Sequence, residues 1–151
     1  MNPLVYIIVL NWNGRDLTLD CLESLTKVLY DNYKILVVDN GSVDDSVSAI
    51  KLKYPNVDIL RIDSNIGYAA GNNAGFKYAK KQNPKYIIFL NNDTIVDENF
   101  IEPLVRPLID KSKAGQTVTK IFYAKDKKKI WYAAGIVNLW LGQIYQIVIR
   151  K

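Results

Sequence analysis

One stretch of the sequence ends a short apolar run in a group of oxygen-bearing side chains. Residues 86–90 are apolar, β-branched or aromatic, which predicts a buried β-strand. Asn91, Asn92 and Asp93 follow it directly. One carboxylate beside two amides is an oxygen-donor set suited to a hard cation such as Mg²⁺ or Mn²⁺. Asp93 is therefore a candidate metal ligand, although the same residues could simply cap the strand and open a helix.

Polar side chains also follow two earlier apolar runs, at residues 5–10 and 34–38. Open α/β sheets bind their ligands at the carboxyl ends of the strands. Asp39 could accept a hydrogen bond from the N3–H of uracil or thymine, or from a ribose hydroxyl. Asn11 and Asn13 could line the same crevice. All three could equally be turn formers, since Asn and Asp tolerate turn and left-handed backbone conformations.

Three glycines at every fourth position, Gly67, Gly71 and Gly75, enter a predicted helix that runs to about residue 81. This spacing lets a helix lie close against a strand or a ligand. The set is not G-x-G-x-x-G and follows the third strand, which disfavours a Rossmann dehydrogenase. Asn72 and Asn73 could meet a diphosphate at the helix start, although surface amides are the plainer interpretation.

These residues need a scaffold of alternating strands and helices. The apolar runs and turn residues predict the order β-α-β-α-β-α-β, which implies a mostly parallel sheet with right-handed crossovers. The first helix, over residues 16–29, is predicted to bury Leu22, Leu25 and Leu29, and the second to start at Ser42. The other predicted elements are strands at 57–62, nearer an edge, and 120–123, a helix at 97–109 interrupted near its prolines, and a charged turn at 125–129.

Composition narrows the function classes. The chain has 151 residues, a net charge of +5, one cysteine and no histidine. The missing histidine excludes Ser-His-Asp chemistry and histidine metal sites, while the lone Cys21 fits a reducing, cytoplasmic compartment. The positive charge suits an anionic ligand or an acidic membrane surface. The N-terminus lacks the pattern of a signal peptide. No nucleic-acid-binding motif appears either, so we predict no nucleic-acid partner.

An uncharged run covers residues 130–149 between two basic clusters. Its length could span a bilayer. Asn138, Gln143 and Gln146 interrupt it, as do two glycines. We therefore favour two short strands over a membrane span, with peripheral membrane contact through Lys127 to Lys129 as a further interpretation.

Taken together, the motifs resemble the family 2 glycosyltransferases, and within them the rhamnosyltransferase-like branch. The matching stretches occur in family order and lie at residues 7–14, 21–25, 37–46, 65–75, 89–94 and 130–135. The resemblance implies an α/β chain with the GT-A fold, a mostly parallel sheet flanked by helices. It also implies a nucleoside-diphosphate-sugar donor, such as a UDP- or dTDP-sugar, and inverting transfer to a cell-surface glycan or lipid-linked acceptor.

By this resemblance, Asn91, Asn92 and Asp93 occupy the place of the D-x-D motif, and Asp93 matches its metal-binding aspartate. Asp39 matches the aspartate that contacts the base. Asn91 stands where the family has its first carboxylate, so we expect modest affinity for Mg²⁺ or Mn²⁺. The expected donor-binding set is Asn11, Asn13, Asp39, Asn65, Gly67, Asn72 and Asn92.

The resemblance also implies a general base that the sequence does not provide. In the family this carboxylate lies well downstream, but no acidic residue follows Asp126. We therefore expect a single domain over residues 1–151, with a nucleotide-binding core at 1–96, the start of an acceptor-side region at 97–151 and an incomplete C-terminal part. A silent donor-binding module and a small membrane-associated protein remain alternatives. An uncovered sheet edge would favour homo-oligomers.

Overall fold

A four-stranded parallel sheet organises the N-terminal part of the chain. The structure, a computed structural model, describes residues 1–111, 113–138, 140 and 143–147. The chain divides into two units, Met1–Asn99 and Phe100–Lys151. The assignment of 1–96 to a nucleotide-binding core and 97–151 to an acceptor-side region of one domain stays a prediction.

The sheet of the first unit has the strand order β3-β2-β1-β4, and each pairing within it is parallel. Its strands are β1 (Val5–Asn11), β2 (Tyr33–Asn40), β3 (Asp58–Ile62) and β4 (Tyr86–Asn91). This arrangement confirms the predicted mostly parallel α/β fold and the edge position of the third strand. Because β1 lies between two neighbours, residues Val5 to Val9 are fully buried, as a continuous apolar run predicts.

Three helices connect the strands and give the alternation that the sequence predicts. They are α1 (Arg15–Leu25), α2 (Ser46–Lys53) and α3 (Tyr68–Lys80). The register places Asn11 opposite Asp39 and Leu10 opposite Asn91. The carboxyl ends of β1, β2 and β4 therefore meet at one edge of the sheet, together with the polar residues that follow them.

Two glycines allow α3 to lie directly against the sheet. A Cβ atom on Gly75 would stand 2.7 Å from Val38 Cγ2 and 2.8 Å from Ile8 Cγ2, and one on Gly71 would stand 2.7 Å from Leu10 Cδ1. These distances are too short for carbon atoms, so the helix reaches this depth only without side chains there. The predicted close approach of a glycine-spaced helix to a strand is confirmed. The core under it consists of Tyr6, Ile8, Leu36, Val38 and Ala79.

Two predicted buried positions are wrong. The first helix ends at Leu25 instead of continuing to residue 29, so Leu29 lies beyond it and is 66% exposed. The strand at residues 86–90 is not fully buried, because β4 pairs only with β1 among the described residues and forms the edge of the sheet. Phe89 is consequently 50% exposed.

The predicted start of the second helix at Ser42 is also wrong. α2 begins at Ser46, whose amide and hydroxyl both donate hydrogen bonds to the Asp44 carboxylate. Ser42 is instead bound to Asn11 and to the backbone of Asn13. The Ser-Asp spacing typical of a helix start thus serves a turn in this protein.

The second unit contains one helix and two antiparallel strand pairs among its described residues. They are α4 (Ile101–Asp110), β5 (Ile121–Tyr123) with β6 (Asp126–Tyr132), and β7 (Ala134–Asn138) with β8 (Gln143–Ile147). The helix starts later than predicted and continues through Pro103 and Pro107. Pro103 is tolerated because it is the third helical residue, where the missing N–H would have no intrahelical partner.

Two predictions about the basic and apolar C-terminal stretches have different outcomes. The predicted charged turn at 125–129 is wrong, because Asp126 to Lys129 belong to β6 and the turn lies at residues 124–125.

The favoured two-strand interpretation of residues 130–149 agrees with β7 and β8. No helix among the described residues is long and apolar enough to cross a bilayer. Residues 139, 141–142 and 148–149 of this run lie outside the described part.

Candidate functional site

Asn11 is the centre of a buried polar network at the carboxyl edge of the sheet. It is the last residue of β1 and is fully buried. Its amide nitrogen donates to Asp39 Oδ1 at 2.9 Å and to Ser42 Oγ at 3.1 Å. Its amide oxygen accepts a hydrogen bond from the Thr18 hydroxyl at 2.8 Å. One side chain therefore ties β1 to β2, to the turn after β2 and to α1.

Asp39 lies inside the sheet rather than in a turn, because β2 extends to Asn40. Its side chain is 1% exposed. Besides the bond from Asn11, it accepts one from the Ser42 amide at 3.3 Å and lies 4.0 Å from Arg61 Nε. Both carboxylate oxygens therefore have partners within the protein. The contact of Asp39 with a nucleobase stays a prediction.

Asn13 shapes the turn that follows β1. Its backbone is left-handed, with φ of 48°, and its side-chain oxygen accepts a bond from the Val43 amide at 2.9 Å. Its own amide donates to Ser42 Oγ at 2.9 Å. The turn-forming interpretation therefore describes its structural role. Between Asn11 and Asn13 this turn presents Trp12, which is 56% exposed.

Asn40 connects β2 to the loop before α3, a role that the sequence analysis missed. Its amide nitrogen donates to Asn65 Oδ1 at 2.9 Å and to the Gly67 carbonyl at 3.3 Å. Its oxygen accepts from the Ile66 amide at 3.2 Å. Asn65 Oδ1 also accepts from the Gly67 amide at 2.8 Å, and Gly67 has a positive φ of 87°. Asn65 and Gly67, both predicted donor-binding residues, thus lie at the same edge of the sheet as Asp39.

Asn72 is buried, with 9% exposure, so it is not the surface amide of the plainer interpretation. Its amide nitrogen donates to the Tyr68 carbonyl, one helical turn earlier, at 3.1 Å. This bond holds the side chain against its own helix. A contact between Asn72 and a diphosphate stays a prediction.

The three polar residues at the end of β4 have different surroundings. Asn92 donates to the Thr18 hydroxyl at 3.0 Å and so joins the buried network. Asn91 is exposed, and its side-chain oxygen accepts a bond from the Tyr68 hydroxyl at 3.0 Å. Asp93 is exposed and has no hydrogen bond or ion pair among the described residues. Asp93 is thus an exposed carboxylate at the end of β4 that is available to a ligand.

The donor set around Asp93 fits one type of metal site. No group of three or more His, Cys, Asp or Glu residues that could hold a metal occurs in the described part of the chain. The described residues therefore do not form a metal site that consists of protein ligands alone. Mg²⁺ and similar ions, however, commonly bind one or two carboxylates together with substrate phosphates and waters. Asp93 suits an ion that is shared with a diphosphate.

Cys21 lies fully buried in α1 below the end of β4, with its sulfur 3.9 Å from the Asn91 carbonyl oxygen. Burial, and then the negative charge of Asp93, raise the pKa of the Cys21 thiol from 9.0 to about 12. A neutral thiol is thus favoured under the candidate metal site. Like other buried thiols in apolar surroundings, it is expected to be unreactive.

The raised pKa of Cys21 predicts that stability falls above pH 9. The folded thiol keeps its proton up to about pH 12, whereas the unfolded thiol loses it near pH 9.0. The unfolded state then binds fewer protons, so the free energy of unfolding falls by up to about 1.4 kcal/mol per pH unit. Urea unfolding at pH 8, 9 and 10 should show a steeper loss for the wild type than for Cys21→Ala. Equal losses in both proteins would contradict this assignment.

Comparison with known proteins identifies the family. The family model described as "Glycosyl transferase family 2" matches residues 6–148. The chain belongs to glycosyl transferase family 2. It is 32% identical over 114 residues to Glycosyltransferase GlyG of Streptococcus pneumoniae, a match that covers 74% of this chain and 37% of GlyG.

A second relative is the UDP-Glc:alpha-D-GlcNAc-diphosphoundecaprenol beta-1,3-glucosyltransferase WfaP of Escherichia coli. It is 32% identical over 91 residues, which are 60% of this chain and 35% of WfaP. The chain thus spans well under half of the length of GlyG or WfaP.

Two solved structures share the fold. The mannosyltransferase PcManGT from Pyrobaculum calidifontis, in complex with GDP-Man and Mn²⁺, is similar with a TM-score of 0.69 at 19% identity, over 85% of this chain and 38% of that one. S. aureus TarS 1-349, in complex with UDP-GlcNAc, is similar with a TM-score of 0.61 at 19% identity, over 80% of this chain and 38% of TarS. These similarities confirm the predicted GT-A fold.

Proposed function

We propose that the unit Met1–Asn99 binds a nucleoside-diphosphate sugar together with Mg²⁺ or Mn²⁺, as the donor-binding part of an inverting glycosyltransferase. The observation that carries this proposal is the buried network through Asn11, which joins the carboxyl ends of β1, β2 and β4 through Asp39, Thr18 and Asn92. Exposed Asp93 stands immediately beyond it. A rigid polar edge with the exposed Asp93 carboxylate beside it suits an anionic ligand that brings its own metal-binding oxygens.

The solved relatives support this choice of ligand class. PcManGT holds GDP-Man with Mn²⁺, and TarS holds UDP or UDP-GlcNAc. The nucleotides differ, and all are nucleoside diphosphates. For this chain we propose a UDP- or dTDP-sugar, because uracil and thymine both carry an N3–H. The Asp39 carboxylate would accept it once the exposed Arg61 side chain, 4.0 Å away, moves aside and opens the buried carboxylate.

Each predicted residue has a place in this proposal. Asp93 would hold the metal, whose chemistry when bound is to neutralise charge on the leaving diphosphate. Asn11, Asn13 and Asp39 would form the base end of the site, where the exposed ring of Trp12 offers a face for stacking. Asn65, Gly67, Asn72 and Asn92 would set the start of α3 and the end of β4 around the diphosphate.

Group transfer is the second half of the proposal. Inverting transfer to a cell-surface glycan or lipid-linked acceptor requires a general base that takes the acceptor proton. No acidic residue follows Asp126 in this sequence, and nothing distinguishes Asp97, Glu98 or Glu102 for the role. A donor-binding module that performs no transfer by itself is the second candidate.

Two partner predictions belong to the same proposal. Lys127 to Lys129 are exposed in β6 beside Trp131, which is also exposed, and this combination suits peripheral contact with the cytoplasmic face of an anionic membrane. The side of β4 that pairs with no other described strand suits pairing with a second copy. Co-sedimentation with anionic vesicles and light scattering, respectively, would detect these contacts.

Calorimetric titration of the wild-type chain tests donor binding. We expect UDP- or dTDP-sugars to bind in Mn²⁺ and to bind more weakly in EDTA, because the ion bridges Asp93 and the diphosphate. Uridine mixed with free sugar is the matched control, since it supplies the same groups without phosphate. A folded protein that binds no nucleotide sugar in Mn²⁺ would contradict the proposal. Release of UDP only when an acceptor is present would separate a transferase from a silent module.

A further inference from the structure

The exposed amide of Asn91 is held by a residue from another element. Tyr68, the first residue of α3, donates a hydrogen bond from its hydroxyl to Asn91 Oδ1 at 3.0 Å. The start of α3 is itself fixed, because Asn40 binds the Gly67 carbonyl and Asn65 accepts from the Gly67 amide. Tyr68 therefore projects from an anchored position towards the end of β4.

This bond decides which end of the Asn91 side chain is left for a ligand. A primary amide has one oxygen, which accepts, and one NH₂ group, which donates two hydrogen bonds. Tyr68 uses one of the two lone pairs of the Asn91 oxygen, and the Asn91 NH₂ group has no hydrogen-bond partner among the described residues. The bond fixes the rotation of the amide, and the two unpartnered N–H donors that it directs away from Tyr68 are suited to an acceptor atom of the ligand.

We propose that Tyr68 is a positioning residue that orients Asn91 as a hydrogen-bond donor to an oxygen of the nucleoside diphosphate, and that Asn91 is not a metal ligand. This inference rests on the proposed donor site. The acceptor is a phosphate oxygen or a ribose hydroxyl, both of which an amide NH₂ can bind. Asp93 then carries the metal dependence alone, and Asn91 contributes affinity that does not depend on metal.

The separation of roles predicts a specific pattern of binding constants. Tyr68→Phe keeps the ring and removes only the hydroxyl. It should raise the Kd for UDP about threefold to tenfold, the range for loss of one hydrogen bond, by the same factor in Mn²⁺ and in EDTA. Asn91→Ala should behave alike, and the double variant should lose little more than either single variant, because both remove one contact. Tyr78→Phe, on the same helix, is the matched control and should bind as wild type.

Uridine distinguishes the two acceptors. If Tyr68→Phe weakens UDP but not uridine, the acceptor is a phosphate oxygen; if it weakens both equally, the acceptor is a ribose hydroxyl. A separate readout is the Mn²⁺ affinity of the UDP-saturated protein, measured by electron paramagnetic resonance. It should be unchanged in Tyr68→Phe and Asn91→Ala, and higher in Asn91→Asp, which supplies a second carboxylate.

Different results overturn different proposals. A loss in Asn91→Ala or Tyr68→Phe that appears only with Mn²⁺ would make Asn91 a metal ligand and overturn this inference. Wild-type binding by both variants would also overturn it while leaving the donor site intact. A wild-type chain that is folded and binds no UDP would overturn the proposed function and this inference together.

Discussion

Replacing Asp93 with alanine is expected to abolish the metal-dependent part of nucleotide-sugar binding. Asp93 is the exposed carboxylate that follows the end of β4, and the described part of the chain contains no group of three or more His, Cys, Asp or Glu residues that could hold a metal without it. Loss of even an outer-shell partner of a bound metal typically costs about 10–100-fold in affinity. We therefore expect a Kd in Mn²⁺ at least about 100-fold weaker for Asp93→Ala, measured by calorimetry with a UDP-sugar.

The control for this variant must remove the same charge at a position without a ligand role. Asp20 is exposed on α1 and has no hydrogen bond or ion pair among the described residues. Asp20→Ala should retain the Mn²⁺ dependence of the wild type. In EDTA, Asp93→Ala should bind no more weakly than the wild type, because the carboxylate repels the diphosphate when no metal lies between them. Equal Mn²⁺ dependence in Asp93→Ala and wild type would show that Asp93 does not hold the metal.

The sheet and its flanking helices could be predicted because each element carries a local signal. Val5 to Val9 form a continuous apolar run, and a central parallel strand requires one. Gly71 and Gly75 are one helical turn apart, which places both on the face of α3 that meets the sheet. The position of β4 at the edge carries no such signal. Its residues are as apolar as those of β1, and only the pairing of the whole sheet determines how many neighbours a strand has.

The candidate site also contains residues that could be predicted from the sequence and residues that could not. The residues at strand ends, Asp39 and Asp93 among them, could be selected from sequence because strand ends mark the ligand-binding edge. Thr18 could not be assigned its partner, Asn92, which lies 74 residues away. A signal for its burial was nevertheless present. Thr18 lies on the same stripe of α1 as Cys21, Leu22 and Leu25, and a polar residue in an apolar stripe requires a buried partner.

Asn40 was missed for a different reason. Asn followed by Gly is typical of a turn, and Gly41 does have a positive φ of 77°. The strand nevertheless continues to Asn40, because β2 pairs with β3 up to Ile62. The long-range pairing thus overrides the local turn signal. It brings the Asn40 amide to the loop at Asn65, which no local pattern would indicate.

Asn11→Leu is expected to destabilise the protein more than any surface substitution. Leucine has about the same size as asparagine but cannot form hydrogen bonds. Asp39 Oδ1 and the Thr18 hydroxyl, both buried, would each lose the hydrogen bond that they make with Asn11. Each buried polar group left without its partner costs about 1–3 kcal/mol. We therefore expect the free energy of unfolding, measured by urea titration with circular dichroism, to fall by about 3 kcal/mol or more.

Asn56→Leu is the matched control, because Asn56 is exposed in the turn before β3 and has no hydrogen bond among the described residues. It should change stability by no more than about 0.5 kcal/mol. Similar stability of the two variants would mean that the network does not hold the strand ends together.

Ligand binding then separates simple destabilisation from loss of the site. A ligand that binds only the folded state adds about 2.7 kcal/mol of stability at 100 times its Kd. The wild type and Asn56→Leu should both gain this stability from a saturating UDP-sugar with Mn²⁺. Asn11→Leu should gain much less at the same concentration, because the network that aligns Asp39, Thr18 and Asn92 is broken and the donor binds weakly. A full gain in Asn11→Leu would show that the network supports the fold without organising the site.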